Sequence, residues 1–396
     1  MTPLTTLETA SGVILGLEPP ACVEPTGVRP LSALDDAIRP FLRRPPCLVS
    51  FSGGRDSSAI LAVATALARR EGLPLPIPAT NRFPQVDEAD ERRCQEQVVR
   101  ALRLEDWIRL EFDDELDCVG PVATAALRRH GLLVPFNAHF HVPLLRAAST
   151  GALLTGIGGD EVFGDRGRVA AVVARAVRPE PCDLLRLGFA ISPQPLRRMV
   201  LRRRDRTTLQ WLTARANREL TSAWARFAAS EPLRWSAYLR WCSRLRYLRL
   251  GIRSLDLLAA NEGALVGHPF LDARFLGALT PGGGNADRAT AMSALFGELL
   301  PPGVLTRATK ASFDRVFFAR HSREFAAGWD GTGADGRYVD VARLRASWAS
   351  PTPAPQSFMQ LQAAWLAVSG AERVEQPLEP VVGALRADAA PVLERG

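Results

Sequence analysis

Lysine is all but missing from this chain: its 396 residues include one, Lys310, against 48 arginines. The net charge of +7 therefore reads as compositional bias as much as selection for nucleic acid, and no nucleic-acid partner is expected. A lone lysine kept where arginine is the default marks chemistry that arginine cannot supply, since ammonium is compact and transferable while guanidinium is broad and permanently charged. The six cysteines, Cys22, Cys47, Cys94, Cys118, Cys182 and Cys242, are scattered and never fall in Cys-x-x-Cys spacing, so they suggest neither a zinc site nor a disulfide framework. Apolar runs such as 169–177 are too short and too interrupted by arginine to span a bilayer. The first residues lack the basic and apolar regions of a secretory leader, so the expected location is cytoplasmic, with no membrane partner. Finally, no Gly-x-x-x-x-Gly-Lys-Ser/Thr occurs, which excludes a Walker phosphate loop.

What is present is the composition of a soluble enzyme, 47% hydrophobic and 23% charged, with length enough for two domains or one domain and a large appendage. Its most informative stretch runs from Ser50 to Ser58, where an apolar run meets an amphipathic helix through Ser52-Gly53-Gly54-Arg55-Asp56-Ser57. Gly53 and Gly54 let backbone N–H groups approach a ligand closely. Ser52, Ser57 and Ser58 add hydroxyls, and the following helix points its positive end at the same place. Such a turn grips phosphate. Asp56 would repel it unless a magnesium ion lies between them, so the turn implies a Mg-nucleotide.

Helical spacing of Leu31, Leu34, Ile38 and Leu42 precedes a buried strand at 47–51. Further strands are expected at 75–79, 107–112 and 152–155, and helices at 59–70, 87–102 and 137–148. This alternation predicts an α/β fold with a doubly wound parallel sheet, whose ligands bind at the carboxyl ends of the strands. A second glycine turn, Gly156-Ile157-Gly158-Gly159-Asp160-Glu161-Val162-Phe163-Gly164, follows the last of these strands. Asp56 and Asp160 on adjacent strand ends would suit one magnesium on a triphosphate. From 166 to 253 the sequence turns to Leu-, Trp- and Arg-rich helical segments such as 196–204 and 233–249, with no strand pattern, and 256–312 reads as helical with loops. The expected organisation is an extension over 1–30, an α/β domain over 31–165, a helical substrate region over 166–255, a helical part completing the site over 256–370, and a tail over 371–396.

Four ordered motifs carry a family resemblance. Ser52-Gly53-Gly54-Arg55-Asp56-Ser57 is similar to the Ser-Gly-Gly-x-Asp-Ser loop of the asparagine synthetase family, and Gly156 to Gly164 to its Gly-x-Gly-x-Asp-Glu-x-Phe-Gly turn. Pro269-Phe270-Leu271-Asp272 resembles its Pro-Phe-Leu-Asp segment, and Leu300-Pro301 with Arg307 to Phe313 its Leu-Pro…Arg-x-x-Lys-x-x-Phe element. The group includes β-lactam synthetase and the lasso-peptide macrolactam cyclases. The resemblance implies an ATP-pyrophosphatase fold and an ATP- and Mg2+-dependent ligase that adenylates a carboxylate, releases pyrophosphate and lets an amine displace AMP. It assigns Ser50, Ser52, Gly53, Gly54, Asp56, Ser57, Ser58, Gly156 and Gly158 to the nucleotide, Asp56 and Asp160 to magnesium, and Lys310 to the α-phosphate.

Two departures narrow the expectation. Thr2 stands where a glutaminase half begins with a nucleophilic cysteine, so ammonia from glutamine is not expected of this chain. Ile157 replaces a glutamate or tyrosine, and Leu265 and Gly267 replace the Glu-x-Arg found before the Pro-Phe-Leu-Asp segment. The leading expectation is closure of a macrolactam in a peptide natural product, with a carboxylate- and amine-bearing peptide as substrate and a precursor-peptide protease or recognition protein as partner. Asp256 or Glu262 is the candidate base for the amine. His139, His141 and His268 read as structural histidines near the pocket. The alternatives are an asparagine synthetase-like enzyme fed by free ammonia or a separate glutaminase, a tRNA-modifying ATP-pyrophosphatase, and a non-catalytic scaffold.

Overall fold

Four residues, Cys47–Ser50, are enough for the central strand β1 because neighbours on both sides supply its hydrogen bonds and both of its faces are covered. The computed structural model describes residues 4–19, 23–164, 185, 188–204, 208–282, 287–307 and 311–370. Within them α1 (Thr6–Ser11) and α2 (Pro30–Leu42) precede β1, and α3 (Arg55–Glu71) follows it. Next come β2 (Ile77–Arg82), α4 (Arg92–Ala101), β3 (Ile108–Glu111), α5 (Pro121–His130), α6 (Val142–Ala147), β4 (Ala152–Leu154) and the single turn α7 (Gly159–Val162). A fifth strand, β5 (Leu265–Gly267), completes one parallel sheet in the order β3-β2-β1-β4-β5.

That order reverses between β1 and β4, because the chain goes from β1 outward to β2 and β3 and then crosses back to β4. The crevice at the carboxyl ends of these two strands is the topological switch point where such sheets bind ligands. Both glycine turns leave the sheet there. Strand alternation sends Cys47 and Val49 to a core shared with α2 and α3, and Leu48 and Leu153 to one shared with α6 and the helix Arg246–Asn261.

Several expectations shift. β5 lies inside the stretch expected to be helical; three residues at a sheet edge, one of them the exposed Leu265, are too few to show a period. β2 begins at Ile77 and not at 75. The helix expected over 87–102 is broken at Asp90–Glu91 between a 3-10 turn (Asp87–Ala89) and α4. The 137–148 segment is likewise a 3-10 turn (Ala138–His141) and α6, with Pro143 in the first turn of the helix. The segment 233–249 divides into Trp235–Cys242 and the start of Arg246–Asn261. The helix Gln194–Arg204 is present, while 165–184, 186–187, 308–310 and 371–396 lie outside the described residues. Among the described residues no helix is long and apolar enough to cross a membrane.

The N-terminal segment packs on the helical part. Glu8 pairs with Arg246, Glu18 with Arg253 at 2.6 Å, and Trp211 Nε1 donates to Ala10 O at 2.8 Å. A second tie joins distant parts through Asp117, which is fully buried. Its Oδ2 accepts from the backbone N–H of Ala319 (2.8 Å) and Ser322 (3.0 Å), capping the helix Arg320–Gly328 from outside. Its Oδ1 accepts from Val119 N at 3.0 Å and from the Ser322 hydroxyl. Burial raises this carboxyl above the ordinary range, and the four donors oppose the rise. Asp117→Ala strands these donors and is expected to cost about 2–3 kcal/mol, read as a lower urea midpoint at unchanged m-value.

Candidate functional site

The first turn is shaped by its own hydroxyls. Ser52 Oγ and Ser57 Oγ are 3.2 Å apart, Gly54 N–H donates to Ser52 Oγ (3.3 Å), and Ser57 Oγ donates to Gly54 O (3.2 Å). Gly53 has φ +81°, and a Cβ there would stand 2.8 Å from Gln95 Cγ. Gln95, on α4, donates from Nε2 to Ser52 O at 3.1 Å and so fixes the turn from outside. Gly54 caps α3 without a side-chain bond, leaving the first N–H groups of that helix for a ligand. The Ser58 hydroxyl is buried and has no partner among the described residues.

The second turn lies directly against the first. A Cβ on Gly156 would come within 2.9 Å of Asp56 Cβ, and one on Gly159 within 2.3 Å of Asp56 Oδ1. Gly158 has φ +94°, and its Cβ would strike Leu271 at 2.4 Å, so the Pro-Phe-Leu-Asp segment packs on the same turn. The rings of Phe163, Phe270 and Phe296 stand 5.4 to 6.1 Å apart and bind this turn to the helix Arg288–Phe296. Asp272, from the same segment, caps the helix Ala273–Leu279.

Arg288 opens the Arg288–Phe296 helix and reaches between the two acids. Its Nη2 bonds both carboxylate oxygens of Asp56 at 2.7 and 2.6 Å, and its Nη1 bonds Asp160. Burial raises the Asp56 carboxyl, Arg288 pulls it back, and Asp160 adds to the rise. Two carboxylates converging on one positive charge is the donor set a divalent cation needs. Among the described residues no cluster of three or more His, Cys, Asp or Glu could hold a metal, so a magnesium ion here would draw its remaining ligands from phosphate and water. The residues fit Mg2+ and a nucleotide triphosphate, with Arg288 as the resident counter-charge. Sequence reasoning missed Arg288: one arginine among 48 carries no contrast, and its only local signal is a cation beside the Asp287 cap, where the helix dipole disfavours it.

Lys310 itself lies outside the described residues. Its flanks do not. Glu91, just before α4, pairs with Arg307 and accepts from Ala311 N at 2.7 Å, while Ser312 N donates to Glu88 O at 3.0 Å. Glu91 sits one helical turn before Gln95, which holds Ser52. Both ends of the lysine segment are thereby tied to the element that supports the first turn. Nothing in the sequence marked Glu91, which reads as one charge in a charged helix.

The other candidates scatter. Ser50 ends β1 on the face of Leu48 and is not part of the turn's bonding. Glu262 lies just before β5, at the amino ends of the parallel strands and not at the carboxyl ends where the turns leave the sheet, and pairs with Arg146 at 3.2 Å. The structure does not bring it to the glycine turns. Asp256 is exposed, about 13 Å along its helix from Tyr247, which bonds Glu161 in the second turn at 2.7 Å. It too is not brought in. Glu161 is raised by burial, opposed by its bond from Tyr247, and braces the turn. Ile157 shares an apolar cluster with Tyr238, Leu248 and Leu271. A Cβ at 267 would stand 2.6 Å from the tip of the Phe41 ring, so a side chain there requires that ring to move. His139 is buried, with Nε2 2.9 Å from Leu116 O, as a structural histidine.

A parallel sheet of this order, with paired glycine turns and two acids at the switch point, defines an α/β fold of the ATP-pyrophosphatase type. The asparagine synthase family model matches residues 31–369, and the chain belongs to that family. Its chemistry is ATP-dependent amidation, yielding AMP and diphosphate. No curated protein matches the sequence.

Asp56→Asn and Asp160→Asn are each expected to abolish the rise in melting temperature caused by MgATP, which at a hundredfold excess over Kd corresponds to about 2.7 kcal/mol in the unaltered protein. Because the Asp56 carboxyl is raised, it takes up a proton at a higher pH than an ordinary carboxyl does; the Mg-dependent part of that rise therefore weakens as pH falls, beginning above the usual carboxylate range. Glu91→Ala should lower turnover at least about tenfold by releasing the lysine segment. It should cost about 2 kcal/mol in stability, less than the ~3–5 kcal/mol of a fully buried pair because Arg307 is partly exposed.

Proposed function

We propose that this chain is an ATP-dependent amide ligase that adenylates a carboxylate and joins it to an amine, closing a macrolactam in a peptide. The observation that carries the reading is the convergence of Asp56 and Asp160 at the switch point, between two turns packed so closely that only glycine fits at Gly156 and Gly159. In the first half-reaction a carboxylate oxygen bonds to the α-phosphorus of ATP and the bond from that phosphorus to the pyrophosphate oxygen breaks. In the second, the amine nitrogen bonds to the acyl carbon, the bond to the AMP oxygen breaks, and the nitrogen loses a proton.

The residues divide this work. Ser52, Gly53, Gly54, Ser57 and Ser58, with Gly156 and Gly158, hold the pyrophosphate portion. Asp56 and Asp160 hold Mg2+, which neutralises the phosphates when bound, and Arg288 shares that task. Lys310 stabilises charge developing on the α-phosphate and the acyl oxygen. A peptide substrate is favoured by what the acyl side lacks, since Ile157 is apolar. A free amino acid brings two charges that such a wall leaves unpaired.

Purified protein with ATP, Mg2+ and peptides carrying an Asp or Glu side chain and a free N-terminus should show carboxylate-dependent exchange of labelled pyrophosphate into ATP and loss of one water from the peptide. Exchange stimulated by tRNA instead, or ATP cleavage to ADP, would move the protein to another class. Lys310→Arg keeps the charge but not its compactness and should lower turnover about a hundredfold; unchanged turnover would remove Lys310 from the chemistry.

A further inference from the structure

On the acyl side of the switch point, three strands end in a polar row. Register pairs Leu48 with Leu153 and Leu153 with Val266, all packed in one core. Two residues further along each strand, Ser50, Thr155 and His268 lie on the same face, at about 4.8 Å intervals across the sheet. Thr155 Oγ1 and His268 Nδ1 are 2.7 Å apart, which confirms the row at its β5 end.

Hydrogen-bond accounting then fixes the imidazole. Thr155 is buried, and its hydroxyl oxygen accepts from Ile157 N–H at 3.4 Å. Its own proton has one acceptor in reach among the described residues, His268 Nδ1. With that nitrogen accepting, the ring proton sits on Nε2. Nε2 is buried and has no partner among the described residues. An orphan buried donor of this kind is costly unless something arrives to accept from it.

The surroundings say what can arrive. Burial, and secondarily His141, push His268 down to about 4, and burial holds His141 near the same value, so both rings are neutral at pH 7. No other titratable group among the described residues acts on His268. Ile157, which packs against the core on this face of the sheet, is apolar. A charged carboxylate or ammonium at this position would lack a counter-ion, whereas an amide carbonyl needs only one N–H.

We propose that His268, its tautomer held by Thr155, is a specificity-determining residue that donates from Nε2 to an uncharged carbonyl oxygen flanking the reacting carboxyl. The ligand class is therefore a carboxyl borne on a residue within a peptide, and a free amino acid is excluded. This deepens the ligase reading and rests on it.

Two measurements test it on the full chain. With five histidines in all, 15N-histidine NMR, assigned through His268→Gln, reads the tautomer directly. The expected state at pH 7 is neutral Nε2–H, and N-acetyl-L-aspartyl-N-methylamide added with MgATP should shift the His268 Nε2 signal while free L-aspartate does not. An Nδ1–H or doubly protonated ring, or an equal response to free aspartate, overturns the proposal. In pyrophosphate exchange with the same capped probe, His268→Phe should raise KM about tenfold at unchanged KM for MgATP and unchanged melting temperature, and His268→Gln, which keeps an N–H, should stay within about threefold. Thr155→Val, nearly isosteric, should raise that KM a few-fold by freeing the tautomer and serves if the Phe variant does not fold. Exchange unchanged in both variants overturns this proposal alone. Absence of exchange with every carboxyl probe in the unaltered protein overturns the ligase reading, and this proposal with it.

Discussion

Everything at the switch point depends on one steric constraint: nothing larger than hydrogen fits between the second turn and Asp56. At Gly156 and Gly159 a methyl group would overlap the Asp56 side chain or the start of α3. That closeness puts Asp160 near enough to Asp56 for one guanidinium to span both. It also sets the distance between β1 and β4 where they diverge, with the first glycine turn on one strand and Thr155, beside His268, on the other. The aromatic cluster of Phe163, Phe270 and Phe296 then carries the constraint outward, since it locates the helix that delivers Arg288.

The two sides of the crevice are electrically unlike. On the phosphate side, charge is abundant and compensated in pairs: Asp56 and Asp160 with Arg288, Glu91 with Arg307. Pairs of this kind, largely buried at Asp56 and Glu91 and exposed at Asp160, contribute little net stability and are retained where charge must be ready for a ligand. Beside Thr155 and His268 the polar groups are neutral hydroxyls and imidazoles next to the apolar Ile157. The division matches a reaction that gathers phosphates and a metal at one end and handles an acyl group at the other.

The sequence made the phosphate half readable and left much of the rest hidden, for physical reasons. Ser52 to Ser58 and Gly156 to Gly164 are legible because backbone geometry near phosphate demands glycine and hydroxyl residues at fixed spacing. β5 escaped notice because a three-residue edge strand has no period to detect. Arg288 was masked by an arginine-rich background, and Glu91 by a helix in which every turn is charged. Asp256 and Glu262 were chosen by chain position relative to the motifs, but the helix carrying Asp256 runs down the sheet and Glu262 follows its end, which takes both acids away from the crevice. His268 was expected to be structural; its unpartnered nitrogen becomes visible only once Thr155 is seen beside it.

The central claim is that the crevice transfers a carboxylate oxygen to the α-phosphate of ATP. The most direct test follows that oxygen, using a capped aspartyl or glutamyl peptide labelled with 18O in its side-chain carboxyl, ATP, Mg2+ and an amine, with mass spectrometry of the nucleotide and phosphate products. The account predicts AMP carrying one 18O atom and unlabelled pyrophosphate. Label in inorganic phosphate with ADP as the nucleotide product, or AMP free of label, would contradict it.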